Sequence, residues 1–293
     1  MAKSNMQKFT VKDFQQVFPD DDSCLDYIRQ QKYPERIDCP SCSKNALFHK
    51  IKERKSYACD YCGYQIAPMA GTIFEKSSTP LTLWFYAIYL MAQTRGGISA
   101  KQIERETGVT YKTAWRMCKE IRHCLDEDFS PFTGDVELDE SYFGGRKHGK
   151  RGRGAEGKTA VFGMAQRAGR VKARVVPNVR RKSIMPIIES SVNKTARVFT
   201  DERNTYAALP AMGYAHGSIP HAQKVYVMGD VHTNTIEGFW SNVKNGIRGV
   251  YHSVSSRYLQ SYLNEYAFRY NHRKDITPMF WFFLRRSVFH RAS

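Results

Sequence analysis

The sequence has no apolar run long enough to cross a bilayer. Its most apolar stretch, LTLWFYAIYLMA at 81–92, has 12 residues, against the ~20 that a spanning helix needs. No membrane partner is therefore expected. The N-terminal MAKSNMQKFT lacks the apolar segment of an export signal. The 7 cysteines in 293 residues, in a chain not expected to be exported, read as free thiols or metal ligands rather than disulfides. A cytoplasmic location follows. Acidic residues are scarce beside basic ones, 28 against 45, giving a net charge of +17. That imbalance is the electrostatic footprint of a polyanionic partner, and in the cytoplasm the common polyanion is nucleic acid. What is present is otherwise ordinary: 42% hydrophobic and 25% charged residues suit a folded chain of more than one domain.

Residues 8–34 read as helical, with Phe9, Phe14, Phe18 and Tyr27 as packing residues. Two Cys-x-x-Cys pairs follow, Cys39/Cys42 and Cys59/Cys62, with sixteen residues between them. Paired thiolates on two tight turns joined by short strands are the pattern of a four-thiolate Zn²⁺ ribbon. Cys24, Cys118 and Cys124 fall outside it; Cys118 and Cys124, in a helical stretch, read as small buried thiols, and no chemistry is assigned to any of the three. Thr79 and Pro80 suit the start of the apolar helix at 81–92. In GISAKQIERETGVTYKTAWRM, Ser99 can cap one helix, Gly108 can end it and Thr110 can cap the next. The result is a helix-turn-helix whose second helix would offer Tyr111, Lys112, Thr113 and Arg116 to a DNA groove.

After a polar break at 126–134, VELDESYF alternates so that Glu137, Asp139 and Ser141 share one strand face and Glu140 the other. Only one of the adjacent pair Asp139 and Glu140 is then expected at any metal. The insertion at 146–158 carries six Lys or Arg against one Glu. Arg146, Lys147, Lys150, Arg151 and Arg153 there could neutralise a phosphate backbone. TAVFGMAQR and RVKARVVPNV flank a hairpin turn at Ala168-Gly169, and a helix is expected from Ser183 with Pro186 in its first turn. ARVFTD is the next strand, Asn204 can cap a short helix, KVYVM at 224–228 reads as a further strand, and an amphipathic helix carries Glu237. Strand, hairpin, helix, strand, helix, strand, helix is the order of an RNase H-like fold in a multi-domain α/β chain.

Asp139, Asp201 and Glu237 are the carboxylates this order could converge. Sixty-one residues separate the first two and thirty-five the last two. Three such groups can hold two divalent cations and so promote in-line attack on phosphorus. Glu237, Ser241 and Lys244 lie on one helical face. Asn234 is the expected cap of that helix or a further oxygen ligand, Glu265 is expected to pair with Arg269, and Trp240 to pack in the core.

CPSC…CDYC, GISAKQIERETGVTYKTAWRM, LDESYFGG, FTDERNTY and HTNTIEGFWSNVKNGIRGVYHSVSSRYLQSYLNEYAFRYNHR together resemble the DDE transposases of bacterial insertion sequences, in the branch with an N-terminal zinc ribbon. The resemblance runs from about residue 20 to about residue 275. It implies Mg²⁺ (or Mn²⁺) held by Asp139, Asp201 and Glu237, with Lys244 engaging DNA near the cleaved end. It further implies double-stranded DNA partners, both element ends and target, a homodimer or higher oligomer on DNA, and hydrolysis followed by strand transfer. Relatives in this branch vary at the third acid, with asparagine or histidine in its place. The expected division is a helical segment at 1–35, the ribbon at 36–68, the helix-turn-helix region at 79–125, the catalytic domain at 133–280 and a C-terminal tail at 281–293. A non-catalytic DNA-binding regulator and a structure-specific nuclease of the same fold are the rival readings.

Overall fold

The computed structural model describes residues 8–128, 130–144, 157–201, 204–219 and 232–290. The chain divides into two compact units, Met1–Leu125 with Lys274–Ser293, and Asp126–Arg273. None of the described helices is long and apolar enough to cross a membrane.

In the first unit, helices α1 (Val11–Val17) and α2 (Asp21–Lys32) each begin with a reciprocal capping box, at Thr10/Asp13 and Asp20/Ser23. Four short antiparallel strands follow: β1 (Arg36–Asp38), β2 (Asn45–Lys50), β3 (Tyr57–Cys59) and β4 (Gln65–Ile66). Helix α3 (Leu81–Gln93) starts after Pro80 with no side-chain cap, so Thr79 does not cap it. Helices α4 (Ala100–Thr107) and α5 (Tyr111–His123) form the helix-turn-helix. Ser99 Oγ accepts from Gln102 N–H at 3.2 Å and Thr110 Oγ1 from Thr113 N–H at 3.3 Å. Between them Gly108 adopts φ 71°, the left-handed conformation that ends a helix at little cost for glycine alone. Ile103, Ala114, Met117 and Ile121 bury the inner faces.

Residues 281–293, expected as a tail, instead contain most of helix α9 (Met279–Phe289), which belongs to this unit. Phe280 stacks on Phe9 at 4.9 Å and meets Phe14 edge-on at 5.9 Å, so the two ends of the chain share one aromatic core with α3.

The second unit is a five-stranded sheet in the order β7-β6-β5-β8-β9. β5 (Asp135–Phe143), β6 (Thr159–Gln166) and β7 (Val171–Val176) are antiparallel, with the turn at 167–170. β8 (Arg197–Asp201) runs parallel to β5, and β9 (Ala215–Ile219) parallel to β8. This mixed order is that of an RNase H-like domain. KVYVM at 224–228 lies outside the described residues. Helix α6 (Arg181–Ser191) starts two residues earlier than Ser183, which leaves Pro186 inside the helix rather than in its first turn. It covers one sheet face, where Ile184 and Ile188 pack with Val136, Leu138, Phe162 and Val198. Helices α7 (Asn234–Gly246) and α8 (Ser256–Asn271) cover the other, where Ile236, Trp240, Val243 and Leu263 pack with Val161, Ala165 and Val171. β5 is thus covered on both faces over most of its length, and Glu137 is wholly buried within it.

Close approach of α7 depends on Gly163, the β6 residue paired with Asp139. A Cβ there would sit 2.3 Å from Trp240 Cζ2 and 2.9 Å from Ile236 Cδ1. Neither the indole nor the strand backbone can yield by that much locally. Gly163→Ala is therefore expected to destabilise this unit by ~1–3 kcal/mol through overpacking, read as a lower denaturant midpoint with an unchanged m-value. An unchanged midpoint would show that α7 does not need this contact.

Candidate active site and metal centre

The ribbon builds its two thiol pairs on matching turns. Cys39 N–H donates to Lys44 O and Cys59 N–H to Tyr64 O, both at 2.9 Å. Ser43 N–H returns to Cys39 O at 2.8 Å and Gly63 N–H to Cys59 O at 3.0 Å. The residue after each second cysteine takes positive φ, 57° at Ser43 and 74° at Gly63. The four Sγ atoms of Cys39, Cys42, Cys59 and Cys62 all lie within 4.8 Å of one another. Four soft thiolates at that spacing fit a structural Zn²⁺. Cys24, Cys118 and Cys124 are buried elsewhere, and burial pushes the Cys124 thiol up to about 12.

On α5, Tyr111, Lys112 and Arg116 are exposed. Thr113 is turned back on Thr110, with the hydroxyls 3.1 Å apart. Arg116 donates from Nη2 to Ser77 Oγ at 3.2 Å and lies 5.5 Å over the Trp84 ring. Arg146, Lys147, Lys150, Arg151 and Arg153 lie outside the described residues.

In the second unit Asp139, Asp201 and Glu237 line one open pocket of about 910 Å³, joined by Lys158, Ser241, Lys244 and Arg248. β8 pairs in parallel with β5 as far as Glu137 and Phe199, and just beyond that ladder the carboxylates of Asp139 and Asp201 lie within 4.8 Å of one another. Glu237 stands on the first turn of α7, its Oε1 accepting from Thr233 Oγ1 at 2.7 Å. Glu140 corrects the expectation drawn from strand alternation. Its carboxylate lies within 4.8 Å of those of Asp139 and Asp201 and lines the same pocket. Regular pairing between β5 and β8 stops at Glu137 and Phe199, and at the open edge beyond it both faces can reach one point. Tyr206 O–H donates to Glu140 Oε1 at 2.7 Å and holds it there. The adjacency of two acids in LDES was the available sequence signal. Glu265, by contrast, pairs with Arg269 at 2.6 Å, as its spacing suggested.

Asn234 is exposed and is not the cap of α7. Glu137, wholly buried on β5, supplies that cap: its Oε2 accepts from Thr235 N–H at 2.7 Å and Ile236 N–H at 3.0 Å. Trp240 is buried against Phe143 and Phe239, so it packs in the core and also forms a wall of the pocket.

Burial, and then the neighbouring Glu140 charge, push the Asp139 carboxyl up to about 7. Burial pulls the Lys244 ammonium down, opposed by the Asp139 charge. In the metal-free fold Asp139 thus keeps its proton to about pH 7, whereas the unfolded chain releases it near 3.8. This group therefore removes stability as pH rises from about 4 to about 7. A divalent cation that neutralises the site relieves that loss only where the carboxylate is ionised. The rise in thermal midpoint on adding MnCl₂ is expected to be larger at about pH 8 than at about pH 5.5. Equal rises at the two values would contradict a metal at Asp139.

A zinc ribbon, a helix-turn-helix and an RNase H-like sheet that brings the acids of β5 and β8 together, with Glu237 of α7 lining the same pocket, define a class, the DDE transposases. Residues 131–271 match the ISXO2-like transposase domain and residues 19–65 the transposase zinc-ribbon domain. Over 262 residues the chain is 28% identical to an uncharacterized protein in transposable element ISH50 of Halobacterium salinarum, covering 83% of this chain and 88% of that one. It is also 28% identical over 97 residues to an uncharacterized transposase-like protein of Haemophilus influenzae, covering 33% of this chain and 77% of the other. The chain belongs to the ISXO2-like family of DDE transposases with an N-terminal zinc ribbon.

Proposed function

We propose that this transposase binds the terminal inverted repeats of its element, hydrolyses a phosphodiester at each end and joins the freed 3′-hydroxyl to target DNA. The observation that carries the reading is the convergence of Asp139, Asp201 and Glu237 on one pocket whose rim holds Lys158, Lys244 and Arg248. The pocket offers oxygen donors and no thiol or imidazole among the described residues, a donor set that suits a hard divalent cation, Mg²⁺ or Mn²⁺. When bound, such ions supply Lewis-acid stabilisation of the charge that builds on the phosphate and acidify the attacking oxygen.

Asp139, Asp201 and Glu237 are the residues that would hold them, with Glu140 beside them. Lys244 and Arg248 take the non-bridging oxygens of the bound strand and offset its charge against the carboxylates. In the first step a water oxygen forms a bond to phosphorus and the P–O3′ bond breaks, leaving a 3′-hydroxyl. In the second that hydroxyl attacks a target phosphate and a target P–O3′ bond breaks. One P–O bond replaces another each time, so no external energy source is required. Tyr111 and Lys112 on α5, with the basic insertion, carry end recognition and phosphate neutralisation. Processing two ends together calls for a dimer or higher oligomer on DNA.

The test incubates the purified protein with DNA carrying the element's ends. A Mg²⁺-dependent nick that exposes a 3′-hydroxyl at the repeat boundary supports the proposal. Binding without nicking would mark a regulator.

A further inference from the structure

Helix α7 carries the third acid, yet its own N-cap residue does not cap it. Thr233 makes no side-chain bond to the first-turn amides; its hydroxyl is given to Glu237 instead. The two amides that an N-cap would take, Thr235 N–H and Ile236 N–H, go to Glu137 on β5. Glu137 also accepts from Thr235 Oγ1 at 3.0 Å and from Arg167 Nε at 2.9 Å. Arg167 in turn donates from Nη2 to His232 O at 2.8 Å, just ahead of the helix, and its guanidinium lies 4.1 Å over the Phe199 ring on β8. His232 Nδ1 is 3.2 Å from Glu137 Oε1. A fully buried carboxylate is stable only when paired and hydrogen-bonded, and this one has both an arginine and a helix N-terminus, where negative charge is favoured.

The placement matters for the pocket. Glu137 lies two residues before Asp139 on the same strand and the same face, so the strand that bears the first acid also holds the start of the helix that bears the third. Glu237 is one residue past the two amides fixed by Glu137. Through Arg167 the same carboxylate reaches the strand that ends in Asp201. We propose that Glu137 is a positioning residue for the metal site: it sets the distance of Glu237 from Asp139 and leaves Thr233 free to orient the Glu237 carboxylate. Its role is not ligation, because both of its oxygens are taken up by α7 and Arg167. The inference rests on the metal-site reading above.

The experiment measures Mn²⁺ binding by electron paramagnetic resonance on the zinc-loaded full-length protein, without DNA. Glu137→Gln keeps the shape but leaves one acceptor where several donors converge and turns an amide towards the helix N-terminus. It is expected to weaken Mn²⁺ binding by about tenfold or more, as loss of a group that orients a ligand does. Thr235→Val removes only the hydroxyl donor and is expected to weaken it by a few-fold in the same direction. Circular dichroism and the melting midpoint separate this from loss of the fold. If Glu137→Gln does not fold, Thr235→Val decides. A folded Glu137→Gln, or failing that a folded Thr235→Val, that binds Mn²⁺ like the wild type would overturn the proposal. Asp139→Asn in parallel separates the two levels of argument: if it too binds Mn²⁺ normally, the metal site itself is misassigned.

Discussion

Asp139→Ala and Asp201→Ala are each expected to lower end cleavage by at least about 10³-fold while leaving end binding nearly intact. Several kcal/mol of charge stabilisation at the phosphate depend on the ions these carboxylates would hold, and each ~1.4 kcal/mol is tenfold in rate. The fold should tolerate the change. Asp139 carries a carboxyl that burial and Glu140 keep protonated to about 7, so above that pH its charge is a burden on the metal-free protein. Alanine removes the burden, and the metal-free midpoint at about pH 8 should hold or rise. Asp201 is buried, at the end of a strand whose core is Val198 and Phe199. A variant that lost both cleavage and fold would point to a structural role. A variant that cleaved normally would remove Asp139 or Asp201 from the site.

Removing zinc is the second large effect. The ribbon's strands have 3, 6, 3 and 2 residues, and its buried apolar side chains are few, chiefly Ala46, Phe48 and Tyr57. A sheet so small cannot balance its chain entropy without the metal, and structural zinc supplies ~10–16 kcal/mol of apparent folding free energy. Cys39→Ser, or a strong chelator, is expected to unfold residues 36–66. The effect should spread to α2, because Tyr57 O–H donates to Asp26 and Lys50 pairs with Asp22 on that helix. The sheet of Asp126–Arg273 contributes no ligand and should keep its melting transition. Hydrogen exchange checks this by region: protection lost in 21–66 and kept in β5, β6 and β8. Protection retained in the ribbon after zinc removal would contradict the account.

What the sequence made legible was local. The ribbon follows from Cys-x-x-Cys spacing, because ligand geometry constrains residues close in the chain. The helix-turn-helix follows from Ser99, Gly108 and Thr110, each of which makes the cap or turn expected of it. The Gln166–Arg170 hairpin and the Glu265–Arg269 pair are local in the same sense. What escaped depends on tertiary contact. Helix α9 packs with α1 through Phe14 and Phe280, and nothing near 279–289 in the sequence announces a partner at the other end of the chain. Alternation placed Glu140 away from the acids, and Glu140 does keep its strand pairing to Phe162 on β6; but on the β8 side the ladder ends at Glu137, and past that open edge its carboxylate comes within 4.8 Å of those of Asp139 and Asp201. Glu137 read as one acid among several. Its function as the cap of α7 requires knowing which helix lies over that strand.

The most direct measurement is strand transfer with pre-cleaved element ends and a supercoiled target in Mg²⁺, comparing the wild type with Asp201→Ala. The account predicts joined product from the wild type and none from the variant, with both proteins binding the ends. Joined product from Asp201→Ala, or none from a wild type that binds and nicks its ends, would contradict it.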